Sequence, residues 1–398
     1  MNAVRVAVVG LGGVAQSVHL PVLQRRRSEV DLVAVVEPSP SRLDDIAARY
    51  GVPPSGRFST LSDLLEAVDD GLRVDAAILA SPGDHAGDAG RLIVAGIRVL
   101  AEKPLSYSRA ELNALEATLD ECGRPAGDWL RIGYMKEHDR AVAELVTALS
   151  GRRVRALHIE VLHPADARQL AFARLLPPAE DVTVDLVPAI DRAARSVRSA
   201  IGEPEPHLRR LYEQVLLGSI VHDIALVRHL GLGLETVIDA RRTGDGFPGS
   251  VTASGTTADG VPWTLSWHFI DTYPEYSEKV IVHHDEGTFE LAFTTPYVLN
   301  YPTVLTVRAA GADLGSSRRD LSWPQEEAFD RELSVLLSLV TDTPLPGSSL
   351  DEARQDLTTA QRLWAACARS AGATPDPVSE AARASSRAAR SSERTDDE

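Results

Sequence analysis

The sequence predicts an α/β domain built on a doubly wound parallel sheet, followed by an α+β domain with an open, mainly antiparallel sheet. Three observations carry that prediction. Short apolar runs alternate with helical stretches through the first 125 of the 398 residues, as strands buried on both faces and their crossover helices should. A glycine-lined turn joins the first apolar run to the first helix. From Thr236 to Val307 the pattern changes to strand after strand with no helix between.

Taken in order, Val4, Val6, Ala7, Val8 and Val9 form the first buried strand, and Gly13 to about Arg26 the first helix, which Pro21 should bend because it lacks an N–H. Asp31 to Val36 is the second strand. Ser41 to Tyr50 is a helix stopped by Gly51 and Pro53-Pro54, and Thr60 to Ala67 another, capped by Ser59 or Thr60. Val74 to Ala80 is a strand ending at Ser81-Pro82-Gly83, His85 to Ala95 a helix closed by Gly96, and Arg98 to Ala101 a strand running into Glu102-Lys103-Pro104. Ser108 to Cys122 is helical. Leu130 to Tyr134 adds one more strand to the first sheet, and a helix follows from Asp139 to Leu149.

Beyond Arg153 the alternation lapses. Val154 to Leu162 reads as a strand, a polar proline-bearing segment continues to Glu205, and Pro206 to Leu230 is helical. Six strands follow, with Asp285-Glu286-Gly287 as a hairpin turn, and then two amphipathic helices, Glu326 to Val340 and Leu350 to Ala371. The expected organisation is a nucleotide-binding domain over 1–125, an α+β substrate and oligomerisation domain over 126–348, a helix over 349–372 packing back on the body, and a tail over 373–398. That tail holds hardly any large apolar residue and is expected to be disordered.

Composition is that of a globular chain, 44% hydrophobic and 25% charged. A net charge of −16 argues against nucleic acid and against an anionic membrane surface, both of which favour basic patches. Cys122 and Cys367 stand alone, in no disulfide or zinc pattern, and no metal site is expected. With no basic and apolar leader at the start and no membrane-length run, a cytoplasmic protein is expected. An exposed antiparallel sheet face commonly seeks a partner, so a homo-oligomer is expected too.

The chemistry begins at Gly10-Leu11-Gly12-Gly13-Val14-Ala15. Gly10, Gly12 and Ala15 have GxGxxA spacing: a tight turn, a close backbone approach to a diphosphate, and a small residue where helix meets strand. The helix start would turn free N–H groups and the positive end of its dipole toward that anion. Glu37, ending the second strand about 20 residues on, stands where a carboxylate meets adenosine ribose hydroxyls. It would repel a 2′-phosphate, which favours NAD. Ser39 and Arg42 could still serve a phosphate, so NADP stays open.

Taken together, VAVVGLGGVA, AVVEPSPSR, SPGDHAGDAGRLIVAGIRVLAEKPL, GYMKEHD, SIVHDIALVRHL and SSLDEARQDLTTAQRLWAACARSAG give a chain that resembles the Gfo/Idh/MocA oxidoreductases along nearly its whole length. The resemblance implies a Rossmann domain followed by a domain whose open sheet floors a substrate cleft, with sugars, cyclitols or related polyhydroxylated small molecules as substrates. It also implies that Lys103 faces the nicotinamide and the reacting hydroxyl, that Ser81, Pro82, His85 and Glu102 line the cofactor, and that His222 lies beside the substrate. Chemistry agrees for Lys103, because oxidising a carbinol releases a proton that an amine at the carboxyl end of a parallel strand can relay. On residues alone His222 reads equally as a hydrogen-bonded core histidine.

Three departures bear on the substrate. Gly218 stands where many relatives carry an aspartate four residues before the histidine, Glu137-His138 where they have an arginine and an aromatic, and the segment from His163 to Pro206 is longer than in simple members. Asp223, adjacent to His222, points about 100° around an α-helix and is a poor substitute. Among other constellations, His283-His284 face opposite sides of a strand, and Trp263 and Trp267 share one face as core or interface. Hence the reading is an NAD(P)-dependent oxidoreductase, with Lys103 as proton relay and His222 as its assistant or base. The alternatives are a nucleotide-binding regulator without catalysis, or a redox-neutral epimerase or eliminase using transient hydride transfer.

Overall fold

A computed structural model describes residues 3–165, 170–177, 179–182, 184–311, 315–341 and 343–386. The chain divides into two compact units: Met1–Gly133, Leu170–Ser196 and Phe329–Arg354 in the first, Tyr134–Gln169, Val197–Ala328 and Gln355–Glu398 in the second. The first unit therefore draws on more than the expected 1–125. It adds the strand at 130–133, part of the long polar segment, and most of the helix Ala328–Val340.

The first unit is built on a six-stranded parallel sheet of order β3-β2-β1-β4-β5-β6, namely β1 Val4–Val9, β2 Val30–Val36, β3 Arg57–Phe58, β4 Ala76–Leu79, β5 Arg98–Glu102 and β6 Leu130–Gly133. Five of these are the strands the apolar runs predict. Two-residue β3 was not expected, since Arg57-Phe58 is too short for periodicity to register; it pairs only with Val35 and Val36. Val6, Ala7 and Val8 of β1 and Ala76 and Ala77 of β4 are fully buried. The alanines let helices lie close on the sheet, and each buried Val, Leu or Ile contributes roughly 1.5–3 kcal/mol.

Helices α1 (Leu20–Arg25), α2 (Pro40–Tyr50), α3 (Leu61–Asp69), α4 (Ala86–Val94) and α5 (Arg109–Glu121) follow the strands. Pro21 lies inside a continuous helical run over 13–25: a π turn, Ala15–His19, immediately precedes α1, so the ladder is widened just where the proline can supply no N–H. Thr60, not Ser59, caps α3 in a reciprocal box with Asp63. Ser39 caps α2, with Pro40 in its first turn and Gly51 in the left-handed region closing it.

An eight-stranded sheet forms the second unit, in the order β14-β13-β12-β11-β7-β10-β9-β8. Its strands are β7 Val154–His163, β8 Thr236–Thr243, β9 Ser250–Thr256, β10 Pro262–Phe269, β11 Ser277–His284, β12 Gly287–Phe293, β13 Val304–Ala310 and β14 Ser316–Leu321. All neighbours are antiparallel except β7 with β10. Alternation is clean in β9 and β11, and Trp263 and Trp267 are both buried. The arginine-rich β14, SSRRDL, was not expected because none of its residues is buried; only its pairing with β13 makes it a strand.

Two further expectations need amending. The polar segment before Glu205 contains a helix, Val187–Ile201. Of the stretch expected to be disordered, residues 380–386 are helical, with Ser379, Ala381 and Ala384 buried and Glu380 accepting from Gln361; alanine packs where nothing larger fits. Residues 387–398 lie outside the described residues. No helix among those described is long and apolar enough to cross a membrane.

Gly10 has φ +90°, and a Cβ there would lie 2.4 Å from the Ser81 backbone nitrogen, whereas one on Gly12 would meet nothing within 4 Å. Gly10→Ala should therefore cost about 3 kcal/mol and lower the thermal midpoint by roughly 5–10 °C, while Gly12→Ala leaves it nearly unchanged. Calorimetry of the two proteins checks this, and equal midpoints would contradict it.

Candidate functional site

The carboxyl ends of β1, β4 and β5 bring together most of the residues assigned to the nucleotide end. At β1, Gly10 donates to the Val36 carbonyl and Ala80 to that of Val9, so the glycine turn is wedged against the start of Ser81-Pro82. No side chain could be accommodated at Gly10. Gly12, by contrast, is open on its outer face.

Glu37 is only 4% exposed. Its Oε2 accepts from the Leu11 N–H at 3.1 Å and its Oε1 from the Ser39 N–H at 3.2 Å, which ties the turn after β1 to the turn after β2. Arg42 lies 3.7 Å from the same carboxylate and donates to the Pro177 carbonyl at 2.8 Å. Chain from the long segment runs along this edge. Gln16 accepts from the Leu176 N–H at 3.0 Å, and Leu175 packs against Gly13.

The loops after β4 and β5 are tied together by Asp84, whose carboxylate accepts from the Ser106 hydroxyl at 2.8 Å and from the Ala86 N–H at 3.1 Å. The His85 N–H reaches the Leu105 carbonyl at 3.0 Å. These bonds set the Glu102-Lys103-Pro104 bend beside His85, and Lys103 is half-buried there. Glu102 accepts from His19 Nε2 at 2.8 Å. Burial alone would raise the Glu102 pKa, but that hydrogen bond and the charges facing it from His19 and Lys103 outweigh it, and the pKa lies below the ordinary carboxylate range.

Burial dominates at His85. It pushes the imidazole down to about 4 against the pull of Glu102 and Asp84, with the Lys103 charge assisting. His85 is thus neutral at physiological pH, and its buried Nδ1 has no hydrogen-bond partner among the described residues. A buried orphan nitrogen and an open glycine face, both at the carboxyl end of a parallel sheet, fit a dinucleotide. Gly10 to Ala15, Ser81, Pro82, His85, Glu102 and Lys103 all stand at this end.

His222 belongs to the second unit, on the helix Val221–His229, just after a π-helical stretch, Leu211–Ile220, that contains Gly218. The widened helix alters the phase on which the four-residue spacing argument relied. Asp223, set aside on α-helical phase, is 2% exposed and belongs to a buried polar group that sequence reasoning missed. Glu278 of β11 pairs with the Lys136 ammonium and accepts from the Tyr276 hydroxyl at 2.6 Å. Burial and the Glu278 charge raise Asp223 well above the ordinary carboxylate range, which favours its protonated form. One signal was available: Glu278 falls in phase with Val280, Val282 and His284 on the buried face of β11.

Glu137 is accounted for by Arg228, whose guanidinium bonds it at 2.8 Å and Asp356 at 2.7 and 3.0 Å. Trp267 Nε1 donates to the Ser219 hydroxyl at 2.9 Å, and the His163 ring packs on Trp267 and Tyr276. His283 and His284 point apart, the first toward His158 and Thr288, the second stacked on Phe289. No group of residues able to hold a metal ion occurs among those described.

Against known families, residues 4–126 match the model of the Gfo/Idh/MocA oxidoreductases, described as an NAD-binding Rossmann fold. Over these residues the chain is similar to the nucleotide-binding domain of that family. A protein of Amycolatopsis mediterranei (strain S699), named as a UDP-kanosamine synthase oxidoreductase subunit, is 34% identical over 116 residues, which span 29% of this chain and 30% of that relative. Similar folds cover nearly the whole chain. A 3-ketoreductase from Actinomadura kijaniata, solved with NADP, has a TM-score of 0.66 at 18% identity, covering 92% of this chain and 98% of its own. An aldose-aldose oxidoreductase from Caulobacter crescentus, solved with glycerol, has 0.68 at 17%, covering 93% and 98%.

Two predictions follow from these ionisations. The depressed His85 pKa contributes stability that is present above about pH 6.5 and lost as pH falls toward 4, at most about 3 kcal/mol. His85→Asn should flatten the fall in urea midpoint between pH 7.5 and 4.5; an unchanged slope would refute the assignment. In the second unit, Glu278→Gln leaves Lys136 buried without its counter-charge and should cost about 3–5 kcal/mol. Asp223→Asn, which replaces a protonated acid by an amide, should cost under about 1 kcal/mol at pH 7.5. Equal losses in urea titrations would show that Asp223 carries charge.

Proposed function

We propose that this protein is an NAD(P)-dependent oxidoreductase that interconverts a hydroxyl and a keto carbon on a sugar, cyclitol or related polyhydroxylated small molecule. The observation that carries the reading is Lys103, held at the carboxyl end of β5 beside an ionised Glu102 and a neutral His85. Sugar-modifying relatives support the substrate class: those named above are a UDP-kanosamine synthase subunit, a 3-ketoreductase and an aldose-aldose oxidoreductase.

A bound nicotinamide would supply the hydride acceptor or donor. The protein's own task is the proton. In the oxidative direction the neutral Lys103 amine takes the hydroxyl proton as the C–H pair departs as hydride; in the reductive direction the ammonium returns it to the alkoxide. Glu102, pinned by His19, places a negative charge beside the lysine. His85 stays neutral and adds no charge near the dinucleotide. Gly12 gives the diphosphate close backbone access, and the helix start supplies N–H donors. His222 is the second candidate for proton handling, contributed by the helix Val221–His229.

Lys103→Ala should lower turnover by about 10²–10⁴-fold on whichever polyol the wild type uses, while the rise in thermal midpoint with NAD(H) largely persists. Both are read from nicotinamide absorbance and thermal scans. Wild-type turnover in the variant would remove the lysine from the mechanism, and absence of turnover by the wild type across sugars, cyclitols and amino-sugars would favour a nucleotide-binding regulator.

A further inference from the structure

The sequence leaves NAD against NADP open because Ser39 and Arg42, at the start of α2, could hold a 2′-phosphate. In the folded first unit the Ser39 hydroxyl is already committed, and Arg42 in part. The Ser39 hydroxyl donates to Oδ1 of Asp181, 142 residues further along the chain, and the Ser41 N–H donates to Oδ2 at 2.9 Å. Arg42 gives one N–H to the Pro177 carbonyl and lies beside Glu37. The segment that supplies these acceptors is fastened again at Leu176, whose N–H is taken by Gln16.

We propose that Asp181 sets dinucleotide preference: its carboxylate takes the donors a 2′-phosphate would need and places a second negative charge next to Glu37, so that NAD(H) is accepted and NADP(H) is disfavoured. This rests on the reading of the site as a dinucleotide site. The chemistry is specific to the phosphate. An unphosphorylated ribose offers hydroxyls that carboxylates can accept from, whereas a phosphate brings only acceptors and about two negative charges. The Asp181 carboxyl is held at about 2 by the Ser39 hydroxyl and the Ser41 amide, so the competing charge is present throughout the physiological range. Asp181 is exposed apart from these bonds, and its replacement removes no core contact.

Calorimetric titration of NADH and NADPH into the full-length wild type, Asp181→Asn and Asp181→Ala tests this without reference to turnover. The wild type should bind NADH at least about tenfold more tightly than NADPH, and each variant should narrow that ratio by about threefold or more. A wild type that binds NADPH as tightly as NADH, or variants that keep the ratio within threefold, overturns the inference while leaving the dinucleotide reading in place. Failure of all three proteins to bind either dinucleotide overturns both.

Discussion

The nucleotide end of the first unit depends on one buried charge. Glu37 is almost inaccessible to solvent, and burying a carboxylate costs several kcal/mol unless its oxygens are hydrogen-bonded. Here they take the N–H groups of Leu11 and Ser39, one from each of two adjacent strand-to-helix turns. The spacing between those turns is thereby fixed, and with it the place where Gly10 must run flush against Ser81. An apolar residue at 37 would leave two buried donors unsatisfied and two turns free to separate. The carboxylate that marks a ribose site in the sequence is also what holds that site's shape.

The same economy of charge recurs at the end of β5 and in the second unit, with different outcomes. At Glu102 the partner is a histidine, and the carboxylate remains ionised. At Glu278 a lysine and a tyrosine satisfy the carboxylate, and the neighbouring Asp223 is the group that gives up its charge. His85 gives up its charge as well, because burial exceeds the attraction of two nearby acids. Which member of a crowded set stays charged is decided by hydrogen bonds more than by proximity, since each buried ion needs donors or acceptors at contact distance.

How much of this was legible follows from the range of the interactions. The glycine turn, the strand ends and the helix caps are written over a few residues, so β1, β2, β4, β5 and β6 and the cap at Thr60 could be read directly. Lys103 and His85 were reached through resemblance and strand-end position together. What periodicity could not register was either too short, as in β3, or stabilised only by a distant partner, as in β14. Asp181 on Ser39 and Ser41, and Glu278 on Lys136, join residues far apart in the chain whose local context is unremarkable. The π-helical stretch Leu211–Ile220 shifts the phase between Gly218 and His222 away from the 3.6 residues per turn that a sequence reading assumes.

The single parallel pairing in the second sheet has a consequence for how the chain is made. β7 lies between β10 and β11, and both partners are encoded about a hundred residues after it. At ribosomal rates of about 5–20 residues per second, a strand with one apolar face waits roughly 5–20 s for its neighbours. During that wait both of its edges are open templates for other chains. The chain between His163 and Pro262, which includes helices and then β8 and β9, has to be made before either half of the sheet can be joined, so yield in a heterologous host should depend on chaperone supply and growth temperature more than on the stability of the finished fold.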